Sequence, residues 1–275
     1  MNEQLVTSSV HSPRWLHSPH WYLWDGGFLL LGSSDGVVPA HTHHAIQIVL
    51  AISGVVAAKG ATGEWREGPG LIIRPDVEHS YSSQGAMGAM IFVDPESSEG
   101  VWLNASLAHD ITVLPEARLS QARSALEGFC QRPFESPQIR DVIRQSVLSL
   151  CPGAPPSRRV DERISLVLSA IRNSEDLRMS AEDAARLVHL SPSRFAHLFT
   201  HQVGLPFRRY ILWRKLTRAM VAIGRERTIA AAAHASDFAD AAHLTRTFYQ
   251  MVGLAPSVLM RGEFFEIASP FGPLA

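Results

Sequence analysis

Residues 191–206 read SPSRFAHLFTHQVGLP, and residues 241–256 read AAHLTRTFYQMVGLAP. At an offset of 49 residues, Phe195 falls on Leu244, His197 on Arg246, Phe199 on Phe248 and Gly204 on Gly253. Both copies have the same grammar: a short helix, a break, a second helix with apolar positions four apart, then a glycine stop followed by leucine and a proline restart. This is the pattern of a helix-turn-helix written twice. Its geometry suits DNA, because a short helix enters a major groove about 12 Å wide while its apolar face anchors it from behind. A connecting helix over 207–223 (FRRYILWRKLTRAMVAI) holds two such units about 34 Å apart, one turn of DNA.

The flanking sequence agrees. DERISLVLSAIRNS (161–174) opens a helical region, and in MSAEDAARLVHL (179–190) Ser180 and Asp183 form a capping-box variant. Ser191 is the N-cap of the next helix, with Pro192 at its first position and Gly204 at its end. Tyr210, Leu212, Trp213, Leu216 and Met220 line the apolar side of the connecting helix. TIAAAAHA (228–235) begins the second unit. Charge is divided unevenly. Residues 1–157 carry 9 Lys/Arg against 15 Asp/Glu, residues 158–275 carry 16 against 11, and residues 190–227 carry 8 against 1. A basic segment in a chain of net charge −1 points to a polyanionic partner for that end alone.

The stretch SPSRFAHLFTHQVGLPFRRYILWRKLTRAM together with FADAAHLTRTFYQMVGLAPSVLM resembles the tandem helix-turn-helix domain of AraC/XylS transcription regulators. TRTF (245–248) and the following G-x-x-P are the most specific signals. The resemblance implies two recognition helices in adjacent major-groove segments of an operator, the first supplying most of the base specificity. The first is 191–202, with Ser193, Arg194, His197 and His201 outward and Phe195, Leu198 and Phe199 in the core. The second is 240–251, with His243 and Arg246 outward, joined by Thr245 and Ala242. Arginine suits the guanine edge, whereas Arg208, Arg209, Arg214 and Lys215 are placed to contact phosphates. Asp237 stands where a turn glycine is usual in the family. Ala241 and Ala242 leave the second helix little to donate, so it is expected to position more than to specify.

The first 110 residues read differently. IQIVLAIS, VVAAKG, LIIRP and MIFV are short strand-like runs separated by SSDG, ATGEW and EGPG, which suggests a small β-barrel or sandwich. An aromatic arm with Trp15, Trp21 and Trp24 precedes them. PEARLSQARSALEGFC (115–130) places Leu119, Ala122, Leu126 and Phe129 on one helical stripe, and SPQIRDVIRQSVLSLC (136–151) does the same with Ile139, Val142, Ile143 and Val147. Whether these two helices cover the barrel or form a dimer seam is left open by periodicity. CPGAPPSRR (151–159) reads as a stiff linker.

Within this part, PAHTHHAIQIVLAISG (39–54) carries three histidines in four residues. It resembles the first cupin motif, with Gly36, His41, His43, Gln47 and Gly54; GLIIRPDVEH (70–79) resembles the second, from Gly70 through Pro75 to His79. In metal-binding cupins two histidines, a glutamate and a further histidine face inward. Here Gln47 replaces the glutamate, and the second motif is one residue short of the usual enzyme spacing. Taken as one extended strand, the segment puts His41, His43 and Gln47 on one face and His44 on the other, so His44 is not expected to be a ligand. Three neutral imidazoles and an amide oxygen suit Zn²⁺, Ni²⁺, Co²⁺ or Fe²⁺. The same residues also suit hydrogen bonding to an organic effector without metal, or to one another. Trp21 and Trp24 are expected to close the pocket.

The fold class is therefore two-domain: an all-β cupin-like barrel with its arm (1–114), two covering or dimerisation helices (115–150), a linker (151–159) and an all-α tandem helix-turn-helix domain (160–275). The function expected is an effector-controlled transcription regulator, not an enzyme, working as a homodimer with an RNA polymerase contact. The rival class is a metal-dependent cupin isomerase or oxygenase with a helical appendage. No apolar run approaches the ~20 residues of a membrane span, and the N-terminus lacks a secretory layout, so a bacterial cytoplasmic location is expected. Cys130 and Cys151 are the only cysteines, too few for a disulfide framework.

Overall fold

The computed structural model describes residues 14–15, 19–61, 63–130, 136–151, 160–174 and 176–267. Two compact units are present, one made of Met1–Pro155 with Tyr249–Ala275 and the other of Pro156–Phe248.

The first unit is β-rich. Its strands are β1 (Arg14–Trp15), β2 (His20–Trp24), β3 (Gly27–Asp35), β4 (Val38–His41), β5 (Ile46–Ala51), β6 (Val56–Gly60), β7 (Arg66–Gly68), β8 (Gly70–Ile73), β9 (His79–Ser82), β10 (Met87–Val93), β11 (Ile111–Val113) and β12 (Glu263–Glu266). An eight-stranded sheet has the order β11-β8-β5-β10-β3-β2-β12, with β1 on β3, and a four-stranded sheet has the order β4-β9-β6-β7. β5 is central and buried throughout, as its run of Ile, Val and Leu dictates. Its two faces differ. Ile46, Ile48 and Leu50 join a core with Leu119, Ala122 and Leu126 of α2 (Glu116–Cys130) and Ile139, Ile143 and Val147 of α3 (Ser136–Leu150). Leu103 of α1 (Ser98–Ala105) joins the same core. The two amphipathic stripes are thus used inside the unit, covering the sheet. Each fully buried Leu or Ile there contributes about 1.5–3 kcal/mol.

The aromatic arm is not separate from this sheet. Trp21 and Trp24 lie in β2, whose register on β3 runs from His20–Leu31 to Trp24–Gly27. Both are buried, Trp24 inside the core with Leu29 and Ile48, and Trp21 against Phe264 of β12 at 4.4 Å. β2 is flanked by β3 on one side and β12 on the other, so the two tryptophans expected at the pocket belong to a paired strand and not to a free arm. The side chains of Phe129 and Pro137 lie outside the described residues, as does the proline-rich linker over 152–159.

The second unit is helical: α4 (Glu162–Asn173), α5 (Ala181–Leu187), α6 (Pro192–Val203), α7 (Phe207–Glu226), α8 (Ile229–Ala235) and the start of α9 (Ala241–Val252). Its caps are those the sequence implies. The Ser180–Asp183 capping box is present, Ser191 accepts from the Arg194 amide, and Gly204 ends α6 in the left-handed region at φ 93°. Phe195, Phe199, Phe207 and Tyr210 form one aromatic cluster, with ring centroids 5.1–5.5 Å apart. α10 (Ser257–Arg261) follows α9 in the first unit.

Candidate functional site

The histidine cluster is assembled by a break in the chain, not by one extended strand. β4 ends at His41 and pairs with β9, placing His41 opposite His79, while β5 begins at Ile46 in the other sheet. His43 sits in the connection, and Gln47 points to the face of β5 away from the helices. His41, His43 and His79 therefore meet although they come from three pieces of backbone. One nitrogen from each lies within 4.8 Å of the others. Their rings are 4.3 Å (His41–His79), 5.0 Å (His43–His79) and 5.5 Å (His41–His43) apart. Phe92 closes one side, edge-on to His43 at 5.2 Å.

Each imidazole is held from its far nitrogen. Nδ1 of His41, His43 and His79 donates to the carbonyls of Pro39, Ala45 and Val77, each at 2.9 Å. A carbonyl only accepts, so Nδ1 carries the hydrogen and the neutral ring leaves Nε2 as a bare lone pair. Nε2 of His43 and of His79 face Gln47 Oε1 at 3.0 and 2.9 Å. Lone pairs meeting at that distance require a proton, a cation or a reversed amide between them.

A proton is disfavoured. Burial, and then the charge of His43, lowers His41 to about 3; burial, followed by His43 and His41, lowers His79 to about 2. Burial also lowers His43, against the opposing effect of the Gln47 amide oxygen. The donor set fits a transition ion: three neutral imidazoles, each oriented by a main-chain carbonyl, and one amide oxygen.

His44 faces the other way, as alternation suggested, but it is not a spectator. Its Nδ1 lies 3.3 Å from Asp76 and its Nε2 3.1 Å from Glu96, with its side chain 2 % exposed. Burial opposes its charge, yet the charge of Glu96 and the hydrogen bonds donated to both carboxylates outweigh that and raise it to about 10. A buried imidazolium therefore ties the 74–79 turn to the 94–97 turn. Nothing local in the sequence announces this, because the two acids lie 32 and 52 residues away.

On the helical side, Ser193, Arg194, His197 and His201 are all exposed on α6, behind which Phe195 and Phe199 are buried and Leu198 is half-buried. Arg208 and Arg209 are exposed at the start of α7. Arg214 and Lys215 are half-buried, and Lys215 Nζ donates to the Asp237 carbonyl at 3.0 Å, so it braces the second turn. On α9, Arg246 and Thr245 are exposed, while His243 is half-buried against Phe238 at 5.1 Å. Asp240 caps this helix, accepting from the His243 amide at 2.6 Å.

Asp237 adopts φ 58°, the left-handed conformation its turn requires. Its carboxylate accepts from the Leu177 amide and from Arg178 Nε, both at 3.0 Å, which a glycine would not do. His189 takes the equivalent conformation in the first unit at φ 55°. Among the described residues no helix is long and apolar enough to cross a membrane.

A helix-turn-helix domain model matches residues 184–262. The chain is also similar in fold to ToxT from Vibrio cholerae O395, at 12% identity over 90% of this chain and 98% of that one, with a TM-score of 0.53. The same protein bound to (E)-4-(8-methylnaphthalen-1-yl)but-3-enoic acid matches at 12% identity over 89% and 100%, with a TM-score of 0.55. Unsaturated fatty acid-bound wild-type ToxT from V. cholerae strain SCE256 matches at 12% identity over 90% and 96%, with a TM-score of 0.52. At such identities the likeness speaks for the fold: a β-rich N-terminal part followed by a helical one. With both helix-turn-helix units built, capped and turned outward as described, the C-terminal part of this chain is an AraC-type helix-turn-helix DNA-binding domain of a transcription regulator.

Proposed function

We propose that this chain is a one-component transcription regulator whose DNA binding is controlled by an effector at His41, His43, Gln47 and His79, and that the effector is a divalent first-row transition ion. The observation that supports this most directly is the orientation of the three imidazoles, each with its Nδ1–H committed to a carbonyl and its Nε2 turned to the same small space. Such outer bonds fix tautomer and ring direction in the manner of metal-ligating histidines. Gln47 supplies a neutral fourth donor, so the site carries no carboxylate charge and is weaker than a three-histidine, one-glutamate site. The β-rich part is read as a cupin-type sensor, working in a homodimer. α6 is read as the main base reader, with Arg194 on a guanine edge and Arg208 and Arg209 on phosphates.

Two of the ToxT structures hold a carboxylic acid. The corresponding reading here is a metal-free pocket, in which the Gln47 amide is reversed and donates one hydrogen to each of His43 and His79.

Metal content of gently purified protein, compared with H41A/H43A/H79A, separates the two readings. About one equivalent in the wild type and none in the variant supports the ion. Equal content in both, with a thermal shift on adding a long-chain carboxylic acid, supports the metal-free pocket. Nuclease protection on the DNA upstream of its own coding sequence tests the regulator reading; binding that is weak and blind to sequence sinks it. Turnover by the metal-loaded protein in an isomerase or oxygenase screen would favour the enzyme class.

A further inference from the structure

β12 adds in parallel to β2, with Glu263 opposite His20, Phe264 opposite Trp21, Phe265 opposite Tyr22 and Glu266 opposite Leu23. The Glu263 amide donates to the Pro19 carbonyl and the Ile267 amide to that of Leu23, both at 2.9 Å. Phe265 stacks on Tyr22 at 4.9 Å, Trp21 Nε1 donates to the Leu259 carbonyl at 3.2 Å, and Glu263 pairs with His20 at 3.2 Å. The repeat grammar contains none of this, since the domain match ends at Gly262.

Upstream in the same segment, the chain touches the histidine cluster. The Thr42 amide donates to the Gln250 carbonyl at 3.3 Å. Gly253 follows α9 at φ 72°, and a Cβ there would lie 2.7 Å from His41 Nδ1 and 2.5 Å from Val38 Cγ1. Glycine is thus required twice over, by its backbone conformation and by the imidazole against it. All these contacts lie within the first unit, to which the last turn of α9 belongs although the helix begins in the second.

We propose that residues 249–267 form a strand latch whose engagement and the filling of the histidine site control each other, an inference that rests on that site being the effector site. His41 is the shared part. Its Nε2 faces the cluster while its other edge abuts Gly253, and the next residue, Thr42, holds Gln250. An ion that draws Nε2 inward fixes the ring and, with it, the packing against Gly253 and the bond to Gln250. α9 carries Thr245 and Arg246 less than two turns before this point, so the latch acts on the second DNA-facing helix through continuous backbone. The coupling is reciprocal: whatever the ion does to the latch, the latch does to ion affinity. The strand is releasable, being four residues long, at a sheet edge, with Phe264 and Phe265 only half-buried.

The test is amide hydrogen exchange on the full chain with and without Co²⁺, whose absorption bands report occupancy independently. The comparison set is wild type, H41A and F264S/F265S. In the wild type, Co²⁺ is expected to slow exchange at Thr42 and Gly253 at least threefold. F264S/F265S is expected to speed exchange at Glu263 and Ile267 at least tenfold and to weaken Co²⁺ binding severalfold while leaving the three histidines intact. H41A is expected to speed exchange at Thr42 and Gly253 without any ion. Co²⁺ bands with unchanged exchange at these amides would overturn the latch and leave the metal site standing. If no Co²⁺ bands appear, the metal reading fails, and H41A alone decides the latch: faster exchange at Thr42 and Gly253 upholds it, and unchanged exchange overturns it.

Discussion

Four buried histidines hold two opposite charge states, and each state has a consequence in pH. His41 and His79 stay neutral, with values of about 3 and about 2, because burial, and after it the charge of His43, penalises the proton. The unfolded chain binds protons near pH 6.5 that the folded chain refuses. Stability supplied by these groups is therefore complete above pH 6.5 and falls below it, by about 1.4 kcal/mol per pH unit for each. His44 runs the other way: its value of about 10 makes its contribution complete below pH 6.5 and lost as pH rises toward 10. Urea midpoints measured across pH should peak near 6.5, and a midpoint unchanged between pH 7 and 5 would refute the assignment of neutral histidines. His44→Ala removes the cation that both Asp76 and the buried Glu96 contact. The expected loss is about 3 kcal/mol, typical of breaking a buried pair from one side, read by chemical denaturation. The sequence showed that His44 points away from its neighbours. It did not show that two distant acids await it there.

The elements of the helical unit were legible almost residue by residue, because caps and 3.6-residue periodicity are local. Ser191, Pro192 and Gly204 bound α6 where their chemistry requires. Asp237 was legible as standing at a turn position usually held by glycine; its pair of accepted hydrogen bonds from Leu177 and Arg178 was not foreseeable. The bond from the Leu177 amide, ahead of the opposing effect of burial, holds its carboxyl below the usual range. Asp237→Gly should cost about 1–2 kcal/mol by leaving the Leu177 amide without this acceptor, and Asp237→Ala more, since alanine also resists the conformation. Thermal melts of the two variants should rank in that order, and equal melting temperatures would show that the backbone requirement is not felt. In the β-rich unit, β5, β6, β8 and β10 were legible as apolar runs between turns. α1 and β12 were not: α1 mixes Ser98, Glu99 and Asn104 with apolar residues, and EFFE has no alternation of its own.

At the scale of the molecule, the charge asymmetry has an outlet in the exposed Arg194, Arg208 and Arg209. If the last two contact phosphates, R208A/R209A should weaken binding to specific and nonspecific DNA alike. It should also lower the slope of log affinity against log salt by about 2. Arg194→Ala should instead relax base preference at one position by about 1–3 kcal/mol. Binding curves at several salt concentrations distinguish these outcomes, and a salt slope unchanged in R208A/R209A would remove both arginines from the interface. The sequence by itself determined the two helix-turn-helix units, their outward and inward faces and the β-rich character of the first part, because each depends on periodicity or capping within a few residues. Only the tertiary structure decided that Trp21 and Trp24 are core, that His41, His43 and His79 meet across a break between two sheets, that His44 is paired, and that the chain's last strand returns to β2. Those outcomes depend on pairings between backbone segments up to 240 or so residues apart, which no local pattern encodes.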